Sequence, residues 1–425
     1  MLTAGEILPL TIEKPAAGGR MIARVDGQVV LVSGTIPGEQ ITARVERVGR
    51  GVAYAEAVTI ERPSEDRRVV DGDPQCGGCL YAHITYARQL EIKSLVIQDA
   101  FARIGHLALP NPVLVSGSPE AGYRMRARLH VREGQIGLFR EGTHDICDVR
   151  RTGQLREDTC DLLDRLGAGL RSLGMAGVRE VEVAENLDAS QRVVHLERNT
   201  PLAIRALSGL GLADGLTGLT ASSPSAGSGV AVISGDPHVV DVLAVDEVEI
   251  RLRRHVLAFF QGNRFLLPAL VSHVVSHVAH GDRVIDLYAG TGVFALAAAR
   301  ARGARVTAVE GDLRGATDLA FNAKEAEGRV TPLHQAVEAF VASPTHDRPS
   351  VLVVDPPRSG MSKDALRGAI SLRASVIVYV SCDVATLARD ARQLVDAGYG
   401  LEYVKGFDLF PNTPHVESVA TFRIR

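Results

Sequence analysis

The C-terminal half of this 425-residue chain alternates short apolar segments with helical ones, and this alternation restricts the possible folds most strongly. Strands are predicted at 283–287, 305–309, 351–354, 376–381 and 401–405, with helices between them. The pattern is typical of an open α/β sheet of the doubly wound, Rossmann-like kind. Such sheets bind ligands beyond the carboxyl ends of their strands. Residues that directly follow a predicted strand are therefore the first candidates for function.

The segment Ser375–Asp383 places a cysteine at such a position. Residues 376–381 are mostly apolar and β-branched or aromatic, which indicates a buried parallel strand, and Cys382 follows it. A free cysteine is also a common small hydrophobic residue in protein cores. Taken alone, this segment leaves a core thiol and a catalytic thiol equally open.

A glycine-rich turn follows the first of these strands, in the segment Val284–Ala295. Gly290 and Gly292 allow the backbone to approach a ligand closely, and Glu310 ends the next strand at a distance suited to binding ribose hydroxyls. The turn also fits a nicotinamide cofactor. Asp286, four residues before the first glycine, favours S-adenosylmethionine instead, because a cofactor without a pyrophosphate needs fewer phosphate-binding amides.

Two further segments supply chemistry that matches a thiol. Asp355-Pro-Pro-Arg358 ends a predicted strand, and the arginine where amine methyltransferases usually carry an aromatic residue argues against amine methylation. Carbon 5 of a pyrimidine accepts a methyl group only after a nucleophile such as the Cys382 thiolate attacks carbon 6. A base must then remove the proton from carbon 5, and either His415 or Glu417 could serve.

The N-terminal regions are predicted to be rich in strands. Asp26-Gly27 marks a hairpin within residues 7–60, which suggests a small OB-like β-barrel over 1–62. A β-rich middle domain is expected over 63–250 and the methyltransferase domain over 251–425. Within the middle domain, Arg124, Arg126 and Arg128 alternate along one strand face without interleaved acids, which mildly favours a polyanionic partner. The Ser- and Gly-rich stretch 217–229 is interpreted as a loop.

Cysteine usage and overall composition bear on the metal sites, the partners and the cellular location to expect. Five cysteines in 425 residues do not form a disulfide framework, and Cys76-Gly-Gly-Cys79 alone favours a tight glycine turn over a metal site. The net charge of -3 neither indicates nor excludes a nucleic-acid partner, and the absence of Trp argues against extended stacking platforms for single strands. We expect a cytoplasmic protein with no membrane span, no signal peptide and no obligate protein partner.

Taken together, these motifs resemble the RNA 5-methyluridine methyltransferase family, and the N-terminal segment with Ile36-Pro-Gly-Glu39 resembles its TRAM domain. The motifs occur in the family's order and cover nearly the whole chain: Phe260-Gln-Gly-Asn263, Asp286-Leu-Tyr-Ala-Gly-Thr-Gly292, Asp355-Pro-Pro-Arg358, Ser381-Cys382 and His415-Val-Glu417. The resemblance implies that Cys382 is the nucleophile and Glu417 the base. It implies cofactor contacts at Gln261, Tyr288, Glu310 and Asp355, and a flipped target uridine near Asp355 and Arg358.

The sequence also departs from the family's pattern. Members with a [4Fe-4S] cluster carry cysteines where this chain has Val70 and Thr152, so only Cys76 and Cys79 match and Cys147 is offset. We therefore expect no cluster, or at best a non-standard one, and no other metal site. Further departures are Asp383 in place of Asn, Ala289 in place of a frequent Cys, and Gln335 in place of an acid.

These features predict an S-adenosylmethionine-dependent RNA (uracil-5-)-methyltransferase. Ribosomal 23S RNA is the favoured substrate and transfer RNA the next. The alternatives are an inactive RNA-binding protein of the same fold and a cytosine-5-methyltransferase, which the lack of a Pro-Cys dipeptide argues against. A nicotinamide oxidoreductase is the last alternative.

Overall fold

The computed structural model describes residues 2–70, 72–174, 177–198, 215–223, 229–343 and 347–425. The helices within these ranges, in chain order, are Tyr86–Arg103 (α1), Glu157–Ser172 (α2), Leu267–Val275 (α3), Val293–Arg302 (α4), Leu313–Asn322 (α5), Val337–Val341 (α6), Lys363–Ser371 (α7) and Val384–Asp396 (α8). None of them is both long enough and apolar enough to cross a bilayer.

The N-terminal region is a six-stranded sheet that closes on itself. Its strands are Ile7–Thr11 (β1), Lys14–Pro15 (β2), Met21–Val25 (β3), Gln28–Ser33 (β4), Gln40–Val48 (β5) and Val52–Arg62 (β6). Segment 7–15 pairs with β5 through its first part and with β3 through its second, which closes the barrel. The predicted hairpin is confirmed: Asp26 (φ 47°) and Gly27 (φ 83°) both adopt the left-handed conformation that a tight hairpin turn requires.

A seven-stranded sheet forms the middle of the molecule. Its strands, in chain order, are Arg126–Arg132 (β8), Gln135–Phe139 (β9), Ile146–Asp148 (β10), Val178–Glu185 (β11), Arg192–Arg198 (β12), Gly218–Ser223 (β13) and Gly229–Gly235 (β14). Their order across the sheet is β10-β9-β8-β11-β12-β13-β14. Apolar residues of α2, including Leu163 and Leu166, share a buried cluster with this sheet. Strands His238–Val245 (β15) and Val248–His255 (β16) form a separate hairpin that leads to the C-terminal half.

Two sequence-based interpretations of this region need correction. The stretch 217–229, predicted as a loop, contains strand β13 at residues 218–223. Small residues there pair with β12, and the Thr217 hydroxyl bonds the Arg192 backbone. Residues 224–228 of the same stretch lie outside the described residues. The arginine face of β8 is also not free of acids. Arg126 pairs with Glu182 and Arg128 with Glu180, both contributed by the neighbouring β11.

The C-terminal half confirms the predicted doubly wound α/β sheet. Its strands are Leu114–Ser116 (β7), Arg283–Leu287 (β17), Arg305–Glu310 (β18), Val330–His334 (β19), Val351–Val354 (β20), Val376–Ser381 (β21), Tyr399–Phe407 (β22) and Glu417–Ile424 (β23). The order is β19-β18-β17-β20-β21-β23-β22-β7. All residues of β20 and β21 are buried, as expected for central parallel strands covered on both faces.

Three strands of this sheet were not predicted. Strand β19 contains Pro332 and lies at an edge, where a missing ladder hydrogen bond is tolerated. Strand β23 runs antiparallel between β21 and β22. Strand β7 comes from the range 63–250 that the sequence assigned to the middle domain, yet it pairs in parallel with β22. Apolar residues at helical spacing over 87–104 predict a helix, and the structure has it at Tyr86–Arg103 (α1), where it inserts Ile97 and Phe101 into the apolar cluster on one face of the same sheet.

Candidate active site

The glycine-rich turn lies between β17 and α4, where the chain bends back sharply. Tyr288 (φ 63°), Gly290 (φ 56°) and Gly292 (φ 94°) all have left-handed backbone conformations. A Cβ atom on Gly292 would lie 2.6 Å from Leu319 Cδ1, so this position accepts only glycine without rearrangement. No atom lies within 4 Å of a Cβ built on Gly290, so the turn is open on that side.

Glu310 ties this turn to the neighbouring strand. Its carboxylate accepts hydrogen bonds from the backbone amide of Gly290 (2.7 Å) and from that of Asp312 (2.6 Å). The side chain is only half-buried, and each carboxylate oxygen keeps a further acceptor site for a ligand. The sequence-predicted Gly290 and Glu310 are therefore brought together by a direct hydrogen bond.

Asp286 lies beneath the turn and is fully buried. Neither carboxylate oxygen has a hydrogen-bond partner among the described residues. Burial raises the pKa of this carboxyl well above its usual range, and nearby Asp355 raises it further. A buried, unpartnered carboxyl beside an open glycine turn fits a ligand with donors and positive charge. The amino and sulfonium groups of S-adenosylmethionine have this chemistry, so the residues present fit that cofactor.

The Phe260–Asn263 motif is held next to this turn. Met125 donates its backbone amide to Gly262, and fully buried Asn263 bonds both Ser118 and the Leu409 backbone. This places Gln261, whose Nε2 donates to Asp355 Oδ2 at 3.0 Å. Burial raises the pKa of Asp355 to about 7, Gln261 opposes that shift, and Glu310 adds to it.

Cys382 and Glu417 occupy adjoining ends of two paired strands. Ser381, the last residue of β21, pairs with Ser418 of β23, so the next position on each strand is Cys382 and Glu417 respectively. Residues directly opposite on antiparallel strands have Cβ atoms about 4.5–5.5 Å apart. Cys382 is half-buried and free of disulfides, and Glu417 is buried. The register of the sheet therefore brings the predicted thiol and the predicted base together.

The electrostatics of the pair depend on Arg358. Burial raises the pKa of the Cys382 thiol to about 11; Glu417 and Asp355 add to the shift, whereas Arg358 opposes it. Burial likewise raises the pKa of Glu417 well above its usual range, with Asp355 raising it further and Arg358 again lowering it. The exposed Arg358 side chain is therefore the cation that favours the charged form of both groups.

The departure at Asp383 has a local explanation. Its Oδ1 accepts the Thr386 backbone amide at 2.8 Å and so caps the N-terminus of α8. Aspartate and asparagine serve equally well at this position. The other two departures lie apart from the thiol: Ala289 is buried in the turn, and exposed Gln335 is bonded through its backbone amide to the Glu310 carbonyl.

Arg124 and His415 are placed at the edge of the site. Arg124 lies with its guanidinium carbon 5.7 Å from the Phe410 ring centroid and donates to Gln154 Oε1 at 2.5 Å. Loss of hydration lowers the pKa of both His415 and Arg124, and the charge of Arg358 lowers each of them further, so the three side chains share one electrostatic environment. His415 is exposed, unlike Glu417, and its ring lies 6.2 Å from that of Phe410.

The cysteine segment does not fit a four-thiolate cluster. Cys76 and Cys147 form a disulfide, and buried Cys79 joins them in one small cluster. The sequence had placed Cys147 out of register, yet the hairpin of β9 and β10 brings it to Cys76. Within the described residues no group of three or more His, Cys, Asp or Glu side chains is arranged to hold a metal ion. Val70 and Thr152 have no thiolate to supply the remaining ligands.

Sequence reasoning missed part of this arrangement. Asp286 was noted only as a sign of cofactor type, although its isolation in the structure makes it a site residue. The segment between β22 and β23 is fixed by residues more than 300 positions earlier in the chain, such as Gln89 and Lys93. No local pattern in the sequence could have indicated those contacts.

Comparison with known proteins gives consistent matches over the whole chain. A family profile described as TRAM domain matches residues 2–58, and one described as tRNA (Uracil-5-)-methyltransferase matches residues 346–423. The 23S rRNA (uracil(1939)-C(5))-methyltransferase RlmD of Acidithiobacillus ferrooxidans is 33% identical, covering 97% of this chain and 96% of the relative. The protein of the same name from Pseudomonas putida is 30% identical, with coverage of 97% and 93%.

A solved structure matches at full length as well. It is the tRNA (uracil-54, C5)-methyltransferase of Pyrococcus abyssi in complex with S-adenosyl-L-homocysteine. The TM-score is 0.76 at 23% identity, and the alignment covers 97% of this chain and 99% of the other. At this level of identity the match establishes a shared fold.

Proposed function

Because the chain belongs to the RNA (uracil-5-)-methyltransferase family, we propose that it methylates carbon 5 of a uridine in 23S ribosomal RNA through a covalent bond to Cys382. The observation that carries the mechanism is the strand register that sets Cys382 beside Glu417. The relatives named above support the choice of RNA, since they match over nearly their whole length. The shared fold with a tRNA-modifying enzyme does not favour one RNA over the other.

The cofactor would be held at the glycine turn. Its contacts are assigned to Gln261, Tyr288, Gly290, Glu310 and Asp355; the assignment is supported by the bonds that link Gln261 to Asp355 and Glu310 to Gly290, and by the buried Asp286 next to the turn. When bound, S-adenosylmethionine supplies the methyl group. Gly290 leaves open space on its side of the turn, and Gln261 donates a hydrogen bond to the Asp355 carboxyl.

The thiol and the arginine act first on the uridine. The Cys382 thiolate attacks carbon 6 of the base, which places negative charge on the oxygen of carbon 4 and makes carbon 5 nucleophilic. Arg358 stabilises the thiolate, because it is the group that lowers the raised pKa of Cys382. We propose that Arg358 and Asp355 also contact the flipped base and that Arg124 contacts the adjoining RNA; this is supported by the mutual charge effect of Arg124 and Arg358 and by the contact of Arg124 with Phe410.

Glu417 completes the reaction. After methylation, carbon 5 carries both the new methyl group and the original hydrogen. Glu417 takes that hydrogen as a proton, the electron pair restores the double bond, and the Cys382–carbon 6 bond breaks to return the thiolate. A carboxylate with a raised pKa is a stronger base, which suits Glu417 better to this step than an ordinary surface glutamate. His415 is exposed and so is a weaker candidate.

The proposal includes no iron–sulfur cluster. The described cysteines near the segment 70–80 supply three sulfur atoms, of which two are already joined as a disulfide. The alternative of an inactive RNA-binding protein is disfavoured by the paired Cys382 and Glu417. The alternative of cytosine methylation is tested by the same experiment as the main proposal.

The decisive experiment traps the covalent intermediate. The protein is incubated with S-adenosylmethionine and with 23S ribosomal RNA or transfer RNA in which 5-fluorouridine replaces uridine. Fluorine cannot leave as a proton, so we expect a stable protein–RNA adduct that maps to Cys382 by mass spectrometry. The adduct should form with 23S RNA and be absent in the Cys382→Ala variant.

A variant of the base tests the second half of the mechanism. Glu417→Gln with unmodified RNA should accumulate a methylated covalent adduct, because attack and methylation still occur while proton removal does not. Undiminished turnover by this variant would refute the role of Glu417. No adduct with either fluorinated RNA, despite measurable cofactor binding, would favour one of the two alternatives, an inactive RNA-binding protein or a cytosine-5-methyltransferase.

A further inference from the structure

The segment Asp408–Val416 joins β22 to β23 and delivers Glu417 to the site. Its hydrogen-bond partners come from far earlier in the chain. Lys93 donates to Asp408 and to the Phe410 carbonyl, Asn263 to the Leu409 carbonyl, and Tyr123 to the Pro411 carbonyl. The position of the base therefore depends on residues outside its own strand pair.

The most specific of these contacts involves Gln89 and Asn412. Gln89 Nε2 donates to Asn412 Oδ1 at 2.9 Å, and the Asn412 backbone amide donates to Gln89 Oε1, also at 2.9 Å. The two side chains are 0% and 9% exposed, so water cannot readily replace either bond. Reciprocal bonds of this kind fix both the distance and the orientation of the segment.

Asn412 is suited to this contact by its backbone. Its φ of 63° lies in the left-handed region, which asparagine adopts more readily than most residues. Its Oδ1 also accepts from Arg68 Nη2 at 2.7 Å, and its carbonyl accepts the Tyr81 amide at 2.8 Å. Gln89 is fixed in turn because the carbonyls of Tyr81 and Ile84 share the two Nε2 hydrogens with Asn412 Oδ1. The turn at Asn412 is thus held on both its side-chain and its backbone atoms.

These contacts do not reach the other half of the site. Cys382 and Asp383 directly follow β21, where the Ser381 hydroxyl donates to the Asp383 carbonyl. Arg358 follows β20, and its carbonyl accepts a hydrogen bond from the Thr386 hydroxyl. Neither Gln89 nor Asn412 bonds to those segments in the described structure. A change at Gln89 should therefore displace Glu417 while leaving the thiol and its arginine in place.

We infer that Gln89 and Asn412 are positioning residues for Glu417, and that they act on proton removal from carbon 5 rather than on attack by the thiol. The inference rests on the proposed function, because it assigns a step to Glu417. It predicts that a change at either residue lowers turnover but not the rate of adduct formation. A general loss of stability would instead lower both rates together.

The test compares Gln89→Met with a matched variant on the same helix, Gln98→Met. Gln98 is half-buried, and among the described residues its side chain bonds to Ser94 alone, one turn away, with no hydrogen bond to the segment 408–416. Two rates are measured at saturating S-adenosylmethionine: formation of the adduct with 5-fluorouridine RNA, and steady-state turnover of unmodified 23S RNA. The first requires attack and methylation, and the second also requires proton removal.

For Gln89→Met we expect adduct formation within about twofold of the wild type and turnover lowered roughly tenfold to a hundredfold, since a displacement of about 1 Å has effects of this size. A methylated Cys382 adduct should accumulate on unmodified RNA. Gln98→Met should be unchanged in both rates. Equal loss of the two rates in Gln89→Met, or no loss of turnover, would overturn the inference.

Two variants of Asn412 keep the test informative if Gln89→Met folds poorly. Asn412→Gly tolerates the positive φ but lacks Oδ1, so it should show the same separation of rates. Asn412→Asp keeps an acceptor for Gln89 and Arg68 and should retain most of the turnover. If even the wild-type protein forms no adduct at Cys382, the proposed function fails and this inference with it; if the wild type forms one but both Gln89→Met and Asn412→Gly turn over normally, only the inference fails.

Discussion

The buried ion pair of Lys93 and Asp408 gives a quantitative prediction about the same segment. Lys93 Nζ lies 2.5 Å from Asp408 Oδ1, and the side chains are 1% and 0% exposed. Replacing Lys93 by Met keeps a side chain of similar length but removes its charge. The buried Asp408 carboxylate is then left without its cationic partner. Breaking one side of a fully buried pair costs about 3–5 kcal/mol.

A second lysine provides the matched control. Lys14 pairs at 2.7 Å with Asp99, which lies on the same helix as Lys93, but these two side chains are 38% and 36% exposed. An exposed pair contributes about 0–1 kcal/mol. Lys14→Met should therefore change stability far less, although it removes the same functional group at nearly the same distance. The double variant Lys93→Met/Asp408→Asn should recover most of the loss, because it leaves no unpaired charge.

Hydrogen exchange followed by mass spectrometry measures the effect locally. For peptides from α1 and from 408–416, a loss of 3–5 kcal/mol corresponds to exchange that is roughly 150-fold to several thousandfold faster. For Lys14→Met the increase should stay below about sixfold. Equal effects of Lys93→Met and Lys14→Met would refute the reasoning, and so would a double variant no better protected than Lys93→Met.

Two further predictions concern the turn and the thiol. Gly292→Ala should lower the melting temperature more than Gly290→Ala, since only the first adds a Cβ that would overlap Leu319, whereas Gly290→Ala should lower affinity for S-adenosylmethionine in calorimetry, since its Cβ would enter the open side of the turn; equal effects of the two variants in both assays would contradict this. Alkylation of Cys382 by iodoacetamide, mapped by mass, should keep rising with pH up to about 11, because burial raises the pKa of the thiol to that value. Arg358→Gln should slow the reaction at pH 8, since it removes the charge that favours the thiolate, whereas a rate that levels off below pH 9 would show that the thiol is not shifted upward.

The sequence predicted most of the fold because the decisive patterns are local. Five central strands, helix α1 and the Asp26–Gly27 hairpin each follow from the period of apolar residues or from turn residues over fewer than 20 positions. Strands β19 and β23 were missed because Pro332 in the first and several polar residues in the second weaken the pattern. The pairing of Arg126 and Arg128 with acids was missed because those acids lie on β11, about 50 residues later.

The residues of the candidate site could also be predicted from local patterns, but their relative positions could not. The glycine turn, Cys382 and Glu417 could be recognised because each follows a recognisable strand or belongs to a short motif. Their mutual placement required the register of β21 and β23, and β23 itself was not predicted. The disulfide of Cys76 and Cys147 was missed for the corresponding reason, since it depends on the course of the hairpin between them.

The position of β7 and α1 has a consequence for how the chain is made. Both elements leave the ribosome early, yet β7 pairs with β22, which is synthesised nearly 290 residues later. At 5–20 residues per second, this interval is roughly 15–60 s. Until the end of that time, Ile97 and Phe101 on α1 lack the members of their apolar cluster that are made last, such as Val404 and Phe422. The nascent chain therefore carries an unsatisfied apolar surface until its last strands emerge, which makes it a natural client for chaperones that act during translation.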